Sequence, residues 1–283
     1  MYDGTSYAPP FTIGAPLEGR AVGEIVATAV DGYEVGDLVL STFGWREVFN
    51  TESANLARLD VHGLPPQAFL GVAGIIGLTA YAGLVRIGRL KSSDTVFISA
   101  AAGAVGSAAC QFAKARGCRV VGSAGGPKKT AFLKELGIDE VIDYKSVPSL
   151  PKALAAAAPG GIDVYFDNVG GAHLEAAIAC ANMRARFVIC GMMDSQSVYN
   201  TQTPNPGPRN LMLMPGKRLM LEGFLAMDHQ DLAPAFLDEV LALHKAGRLN
   251  LRETVMVGLE RAPEALLGLF SGANIGKMLV KLH

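Results

Sequence analysis

The chain has 283 residues, half of them apolar, and a formal net charge of −1 at pH 7. That balance offers no field for nucleic acid or an anionic membrane surface, and no run reaches the roughly 18 apolar residues that cross a bilayer. Met1-Tyr2-Asp3-Gly4 lacks the basic-then-apolar order of a secretory leader, and Cys110, Cys118, Cys180 and Cys190 show no C-x-x-C spacing, so the composition predicts a cytoplasmic globular protein with buried reduced thiols and no zinc site.

Arg20 to Ala27 alternates with period two and reads as a strand, and strand-like neighbours around Trp45 predict a core position for that ring. From Thr95 the pattern becomes strand followed by helix. Thr95-Val-Phe-Ile is a β-branched and aromatic run that ends in a small-residue turn, and an apolar-periodic helix opens at Ala104. Arg119 to Ala124 reads as a second strand, Lys128 to Leu136 as a helix closed by Gly137, and Glu140 to Asp143 as a third strand. Helix over Pro148 to Ala158, strand over Ile162 to Asn168, helix over Ala172 to Asn182 and strand over Arg186 to Gly191 follow. Arg218 to Ala226 adds an apolar strand late in the sheet, and Lys277 to Leu282 reads as a closing strand. Repeated strand-helix units imply an α/β fold with a doubly wound parallel sheet, whose ligands lie beyond the carboxyl ends of the strands. The loop at Gly103, the Gly122 to Lys129 segment, Asn168 to Gly171 and the chain from Gly191 onward should therefore converge on one cleft.

The turn after Thr95 carries Ala-x-x-Gly-x-x-Gly from Ala100, a departure from the usual three-glycine fingerprint. Ala102, Gly103, Ala104, Val105 and Gly106 would let the backbone approach a pyrophosphate, with the free N–H groups and dipole of the helix start favouring negative charge. A tight strand-to-helix turn without a ligand is the plain alternative. No Asp or Glu closes the second strand to take a ribose 2′-hydroxyl; that place holds Ser123, Gly125, Lys128 and Lys129. Hydroxyl, backbone donors and positive charge suit a 2′-phosphate, so NADPH is the expected cofactor. Lys128 reads as a solvated residue, whereas a cation at a helix start implies an anionic partner, which falls to Lys129. The five histidines, His173 among them, form no H-x-x-x-H or H-E-x-x-H pattern and receive no catalytic role.

Further motifs run through nearly the whole chain: Ser6 to Phe11, Pro16-Leu17-Glu18-Gly19, Gly36-Asp37, Gly44-Trp45-Arg46-Glu47, Gly77 to Tyr81, Ala100 to Gly106, Tyr165-Phe-Asp-Asn-Val-Gly-Gly171, Tyr199-Asn200, Gly207-Pro-Arg-Asn210 and Asn274-Ile-Gly-Lys277. On these the chain resembles the prostaglandin reductase and alkenal/enone reductase branch of the zinc-free medium-chain dehydrogenases. The resemblance implies a Rossmann sheet inserted in a GroES-like β-rich catalytic domain, partial in this chain. The expected division is 1–73 catalytic, 74–250 NADP-binding and 251–283 returning to the catalytic domain. It also implies about fifty further residues ahead of the point matching Met1 in the relatives. A natural short form, a misassigned start and a truncated product are equally compatible with that difference, which is expected to leave an apolar edge or face near Arg20 to Ala27 exposed.

The activity implied is NADPH-dependent reduction of the C=C bond of α,β-unsaturated carbonyls. By resemblance Tyr199 contacts the substrate carbonyl as acid or donor and shares that work with a nicotinamide ribose hydroxyl; a loop anchor is the alternative. Asn168 and Asn274 are expected near the nicotinamide ribose and carboxamide, or else as turn residues, and Cys190 and Gly191 beside them. Tyr144 stacks near the adenine or its phosphate, or packs at the core edge. Arg209 reaches nucleotide phosphates or pins its own loop. The partners implied are a small enone, alkenal or quinone and a second copy of the chain. A quinone reductase, and a nucleotide-binding protein whose shortened catalytic domain impairs turnover, stay open as alternatives.

Overall fold

The computed structural model describes residues 11–193 and 207–282. Strands β1 (Ala21–Glu24), β2 (Leu38–Ser41) and β3 (Ala57–Arg58) form a small antiparallel sheet in that order. The strand expected from Arg20 to Ala27 is shorter because Ile25 and Gly36 exchange backbone hydrogen bonds with Asp37 and Ile25 that close a turn. Val26 and Val35 project into solvent there. Trp45 is not a core strand residue as its neighbours suggested. Its φ of 57° turns the chain out of extended structure directly after Gly44, whose N–H donates to the Gly19 carbonyl at 2.8 Å in a single parallel bridge between Gly19 and Phe43. The indole is half-buried.

Helix α1 (Ile75–Ala82) leads into a second, six-stranded parallel sheet. Its members are β4 (Thr95–Ile98), β5 (Arg119–Ala124), β6 (Glu140–Asp143), β7 (Ile162–Asp167), β8 (Ala181–Ile189) and β9 (Met220–Gly223). They lie in the order β6-β5-β4-β7-β8-β9, with β6 and β9 at the edges. The connecting helices are α2 (Ala104–Ala115), α3 (Pro127–Glu135), α4 (Leu150–Ala157) and α5 (Gly171–Cys180). The short α6 (Leu213–Lys217) precedes β9, and α7 (Ala233–Lys245) follows it.

Alternation along β4 sends its side chains to two cores. Val96 and Ile98 join Leu78, Phe112, Phe236 and Val240 under α1, α2 and α7, while Phe97 joins Leu154, Tyr165 and Ile178 under α4 and α5. Each such buried side chain stabilises the fold by about 1.5–3 kcal/mol relative to exposure. Arg116 clamps α2 to α7 through two 2.6 Å contacts with the Glu239 carboxylate and lies 5.1 Å above the Tyr81 ring.

Two further boundaries differ from expectation: β9 covers only Met220–Gly223 of the strand expected over Arg218 to Ala226, and β8 begins early. β8 starts at Ala181, where helix was expected to continue to Asn182, because Ala181 pairs with Ile162 and the register then shifts before Arg186 pairs with Val164. Arg184, with φ 64°, makes that bulge. The C-terminal part forms a separate parallel pair, β10 (Glu253–Val257) and β11 (Lys277–Lys281), joined through α8 (Ala262–Ser271). Val257, Leu267 and Phe270 are exposed on this unit. Among the described residues no helix is long and apolar enough to cross a membrane.

Candidate dinucleotide cleft

The chain leaves β4 through Ser99 and reverses at Ala100, whose φ is 46°. Gly103 donates to the Ala100 carbonyl at 2.9 Å, and α2 begins at Ala104 without any side-chain cap. The N–H groups of Ala104, Val105 and Gly106 therefore open the helix with no side chain to take them. A β-carbon on Gly106 would collide with the Ala100 carbonyl oxygen, so glycine lets the helix close onto the turn. Ala102 accepts a 2.8 Å bond from Gly276, which stitches the segment before β11 to the same turn. Asn274 holds that segment in shape by donating from Nδ2 to the Gly276 carbonyl at 2.8 Å. Its side chain is thus engaged as a turn residue, beside the glycine loop.

The ends of β5 and β6 build a second corner. A β-carbon on Gly125 would stand 2.9 Å from Lys145 Cε and 3.0 Å from the Tyr144 ring, so those two side chains flank the glycine. Asp143 Oδ1 accepts from the Gly126 and Lys145 N–H groups at 3.0 and 3.1 Å, tying the two loops together. Lys129 is half-buried on the first turn of α3, whereas Lys128 is exposed. Burial, and then the charge of Lys145, hold the Lys129 ammonium below the ordinary lysine value. Among the described residues neither Lys129 nor Lys145 forms an ion pair with a carboxylate. Lys145 escaped the sequence reading; the available signal was its place directly after the strand-ending Tyr144. Ser123 behaves differently from the expectation of a phosphate-facing hydroxyl. It is fully buried, and its Oγ is hydrogen-bonded to His173 Nε2 at 3.0 Å.

The ends of β7 and β8 supply the third corner. Asp167, also missed from sequence, is buried with Oδ1 accepting from Tyr165 OH, Ser99 OH and the N–H groups of Val169 and Gly170 at 2.7 to 3.2 Å. Its Oδ2 has no partner among the described residues, and burial pushes the carboxyl pKa up against the lowering effect of those donors. Asn168 donates from Nδ2 to the Ser99 carbonyl at 2.7 Å, so its amide fastens the turn. Cys190 and Gly191 both donate from their backbone N–H groups to the Asp167 carbonyl. Burial and the Asp167 charge push the Cys190 thiol up to about 12, which makes it inert as a nucleophile near neutrality. Cys110 and Cys118 are buried and Cys180 and Cys190 half-buried, all four as free thiols.

Arg209 meets the Glu175 carboxylate through Nε and Nη2 at 3.0 Å each, and so pins its loop to α5. Tyr199 lies outside the described residues. An apolar cleft of about 380 Å³ opens between the starts of α1 and α7, lined by Phe69, Ile75, Leu78, Met227 and Phe236 with Arg20 at its rim. Ile76 at the start of α1 lines a small pocket with Ala104 at the start of α2, so this end of α1 lies toward the carboxyl edge of the sheet. Among the described residues no cluster of three His, Cys, Asp or Glu could hold a metal ion.

Residues 104–242 match the family described as "Zinc-binding dehydrogenase", and residues 1–59 match the "N-terminal domain of oxidoreductase". The chain is 40% identical to the putative NADP-dependent oxidoreductase YfmJ of Bacillus subtilis, over 100% of this chain and 83% of that protein. It is 40% identical to the NADP+-dependent 2-alkenal reductase of Nicotiana tabacum, over 97% of this chain and 80% of that one. The crystal structure of CurA in complex with NADPH from Vibrio vulnificus superposes with a TM-score of 0.90 at 36% identity, covering 100% of this chain and 84% of that one. The chain belongs to the medium-chain dehydrogenase/reductase family, in its prostaglandin reductase and alkenal/enone reductase branch.

Proposed function

We propose that the protein is an NADPH-dependent oxidoreductase that reduces the C=C bond of α,β-unsaturated carbonyl compounds. The observation that carries the cofactor half of this reading is the pair Lys129 and Lys145. Lys145 borders Gly125, and Lys129 lies on the first turn of α3 with its Nζ against Gly272; the two ammonium groups repel each other, and among the described residues neither pairs with a carboxylate, at the strand ends where a doubly wound sheet places the adenosine ribose. A 2′-phosphate would neutralise them, so the residues present fit NADPH. The uncapped start of α2 suits the pyrophosphate. The substrate half rests on relatives that reduce alkenals and on the apolar cleft, which accommodates a hydrocarbon skeleton but offers little to a polar one.

Bound NADPH would supply a hydride to the β-carbon. This chain's own work is to hold and orient. Ala104 to Gly106 hold the phosphates through N–H groups, and Asn168 and Asn274 fix the turns flanking the ribose. The apolar cleft would hold the substrate skeleton, and Tyr199 would donate a hydrogen bond to the carbonyl oxygen of the enolate left by hydride addition, while a proton from Tyr199 or from water goes to the α-carbon to complete the saturated carbonyl. Residues 1–73 and 251–283 act as one catalytic unit around the sheet of 74–250. In support, Gly71 and Val72 line one small pocket with Glu253 and Lys277, and Lys277 packs on Gly71. The exposed edge strand β9, with Met220 in solvent, is the surface through which two copies pair into a homodimer. Four free thiols fit the cytosol.

NADPH oxidation followed at a single wavelength tests the reading with a trans-2-alkenal, a cyclic enone and a benzoquinone offered in parallel. Turnover of the alkenal or enone supports it. Turnover of the quinone alone would reassign the protein as a quinone reductase, and binding of NADPH with no turnover of any would make it a nucleotide-binding protein.

A further inference from the structure

His173 receives no role from sequence pattern and touches no open part of the cleft, yet it sits at the junction of three elements. It is buried on the first turn of α5 with 5% of its surface exposed. One ring nitrogen, Nε2, is hydrogen-bonded at 3.0 Å to the hydroxyl of Ser123 on β5. The imidazole lies nearly parallel to Phe97 of β4, with centroids 6.4 Å apart and 14° between planes. Against Tyr144, just past β6, it makes an edge-on contact with centroids 5.1 Å apart and planes at 75°. Tyr144 is otherwise 40% exposed. The His173 contact and the flank of Gly125 hold the ring, and the bond from the Tyr144 N–H to the Ala124 carbonyl holds its backbone.

We infer that His173 is a positioning residue for cofactor selectivity: tethered by Ser123, it fixes the Tyr144 ring and with it the adjoining Lys145, and so sets the shape of the pocket that receives the adenosine 2′-phosphate. The inference rests on the NADPH reading of that corner. Its physical basis is that edge-on aromatic pairs hold a preferred geometry, while the Ser123 bond takes the rotational freedom out of the supporting ring. Tyr144 and Lys145 both border Gly125, so a Tyr144 ring that swings away opens a gap beside Lys145 in the wall of that corner. A ligand with a phosphate in that corner is weakened; one with a hydroxyl there is not.

Two paired variants separate this from a general packing role. Removing one partner of the buried Ser123–His173 bond leaves the other unsatisfied, so both are changed together, and the leucine and phenylalanine pairs lose the same imidazole hydrogen bonds. Ser123→Ala with His173→Leu removes the aromatic support; Ser123→Ala with His173→Phe restores a ring that can meet Tyr144 edge-on. Direct titration of each with NADPH and with NADH gives the ratio of dissociation constants. The leucine pair is expected to weaken NADPH about fivefold while leaving NADH within twofold, and the phenylalanine pair to recover most of the loss. A leucine pair whose NADPH-to-NADH ratio stays within twofold of the parent overturns the inference, as does equal weakening of both nucleotides. A parent chain that binds NADPH and NADH equally would instead sink the NADPH reading of the pocket, and the inference with it.

Discussion

Lys129 and Lys145 carry opposite lessons about single residues. Lys129 could be singled out because a cation at a helix start demands compensation. Lys145 could not, because its relevance comes from the parallel pairing of β5 with β6, which sets Ala124 beside Asp143 and so brings Lys145 against Gly125. Lys145→Ala is expected to weaken NADPH about tenfold and NADH by less than twofold in direct titration, as loss of one charge-assisted phosphate contact implies. The sign of the pH dependence follows from Lys129. Its charged form is disfavoured by burial and by Lys145, so it gives up its proton below the ordinary value of 10.5. The NADPH-over-NADH preference should therefore fall as the pH rises into the alkaline range, before an ordinary lysine would titrate, and should fall less in Lys129→Ala. A preference flat to pH 10.5 would remove Lys129 from the phosphate site. Tyr199→Phe deletes one hydroxyl; if that hydroxyl delivers the proton, turnover should drop roughly ten- to a thousandfold with NADPH affinity intact. Turnover within twofold of the parent would return Tyr199 to the role of a loop anchor.

At the scale of elements, β4, β5 and β6 have the bounds that their residues suggested, from Thr95, Arg119 and Glu140. Strands buried on both faces are short apolar runs cut off by turn residues, and such limits are written locally. The start of β8 was not legible, because Ala181 leaves the helix only by pairing with Ile162 across the sheet, and the Arg184 bulge has no local signature. Ser123 illustrates the same limit inside a correctly placed strand. Which face its hydroxyl takes, and that His173 waits there, depends on α5 packing. The glycine turn was legible because its constraint is local: Gly106 sits against the Ala100 carbonyl. Gly106→Ala should destabilise the protein by about 2–4 kcal/mol in urea unfolding and abolish NADPH binding, since turn and helix must separate to admit the methyl group. A change below 0.5 kcal/mol would mean the contact relaxes freely.

At the scale of the molecule, the doubly wound sheet and the two small sheets around it define a cleft whose three corners come from β4–α2, β5–β6 and β7–β8, with the β11 segment stitched to the first. The edge strand β9 and the exposed Met220 leave one side of the sheet open to a second copy. Light scattering should report a dimer at tens of micromolar, and Met220→Lys on that strand should shift it toward monomer; a parent that is already monomeric there would refute the pairing. The chemistry itself is read most directly by the fate of the transferred hydrogen. With NADPH deuterated at the transferable position of the nicotinamide ring and a trans-2-alkenal as acceptor, deuterium should appear on the β-carbon of a saturated aldehyde. Deuterium on the carbonyl carbon of an allylic alcohol, with the double bond intact, would contradict the account.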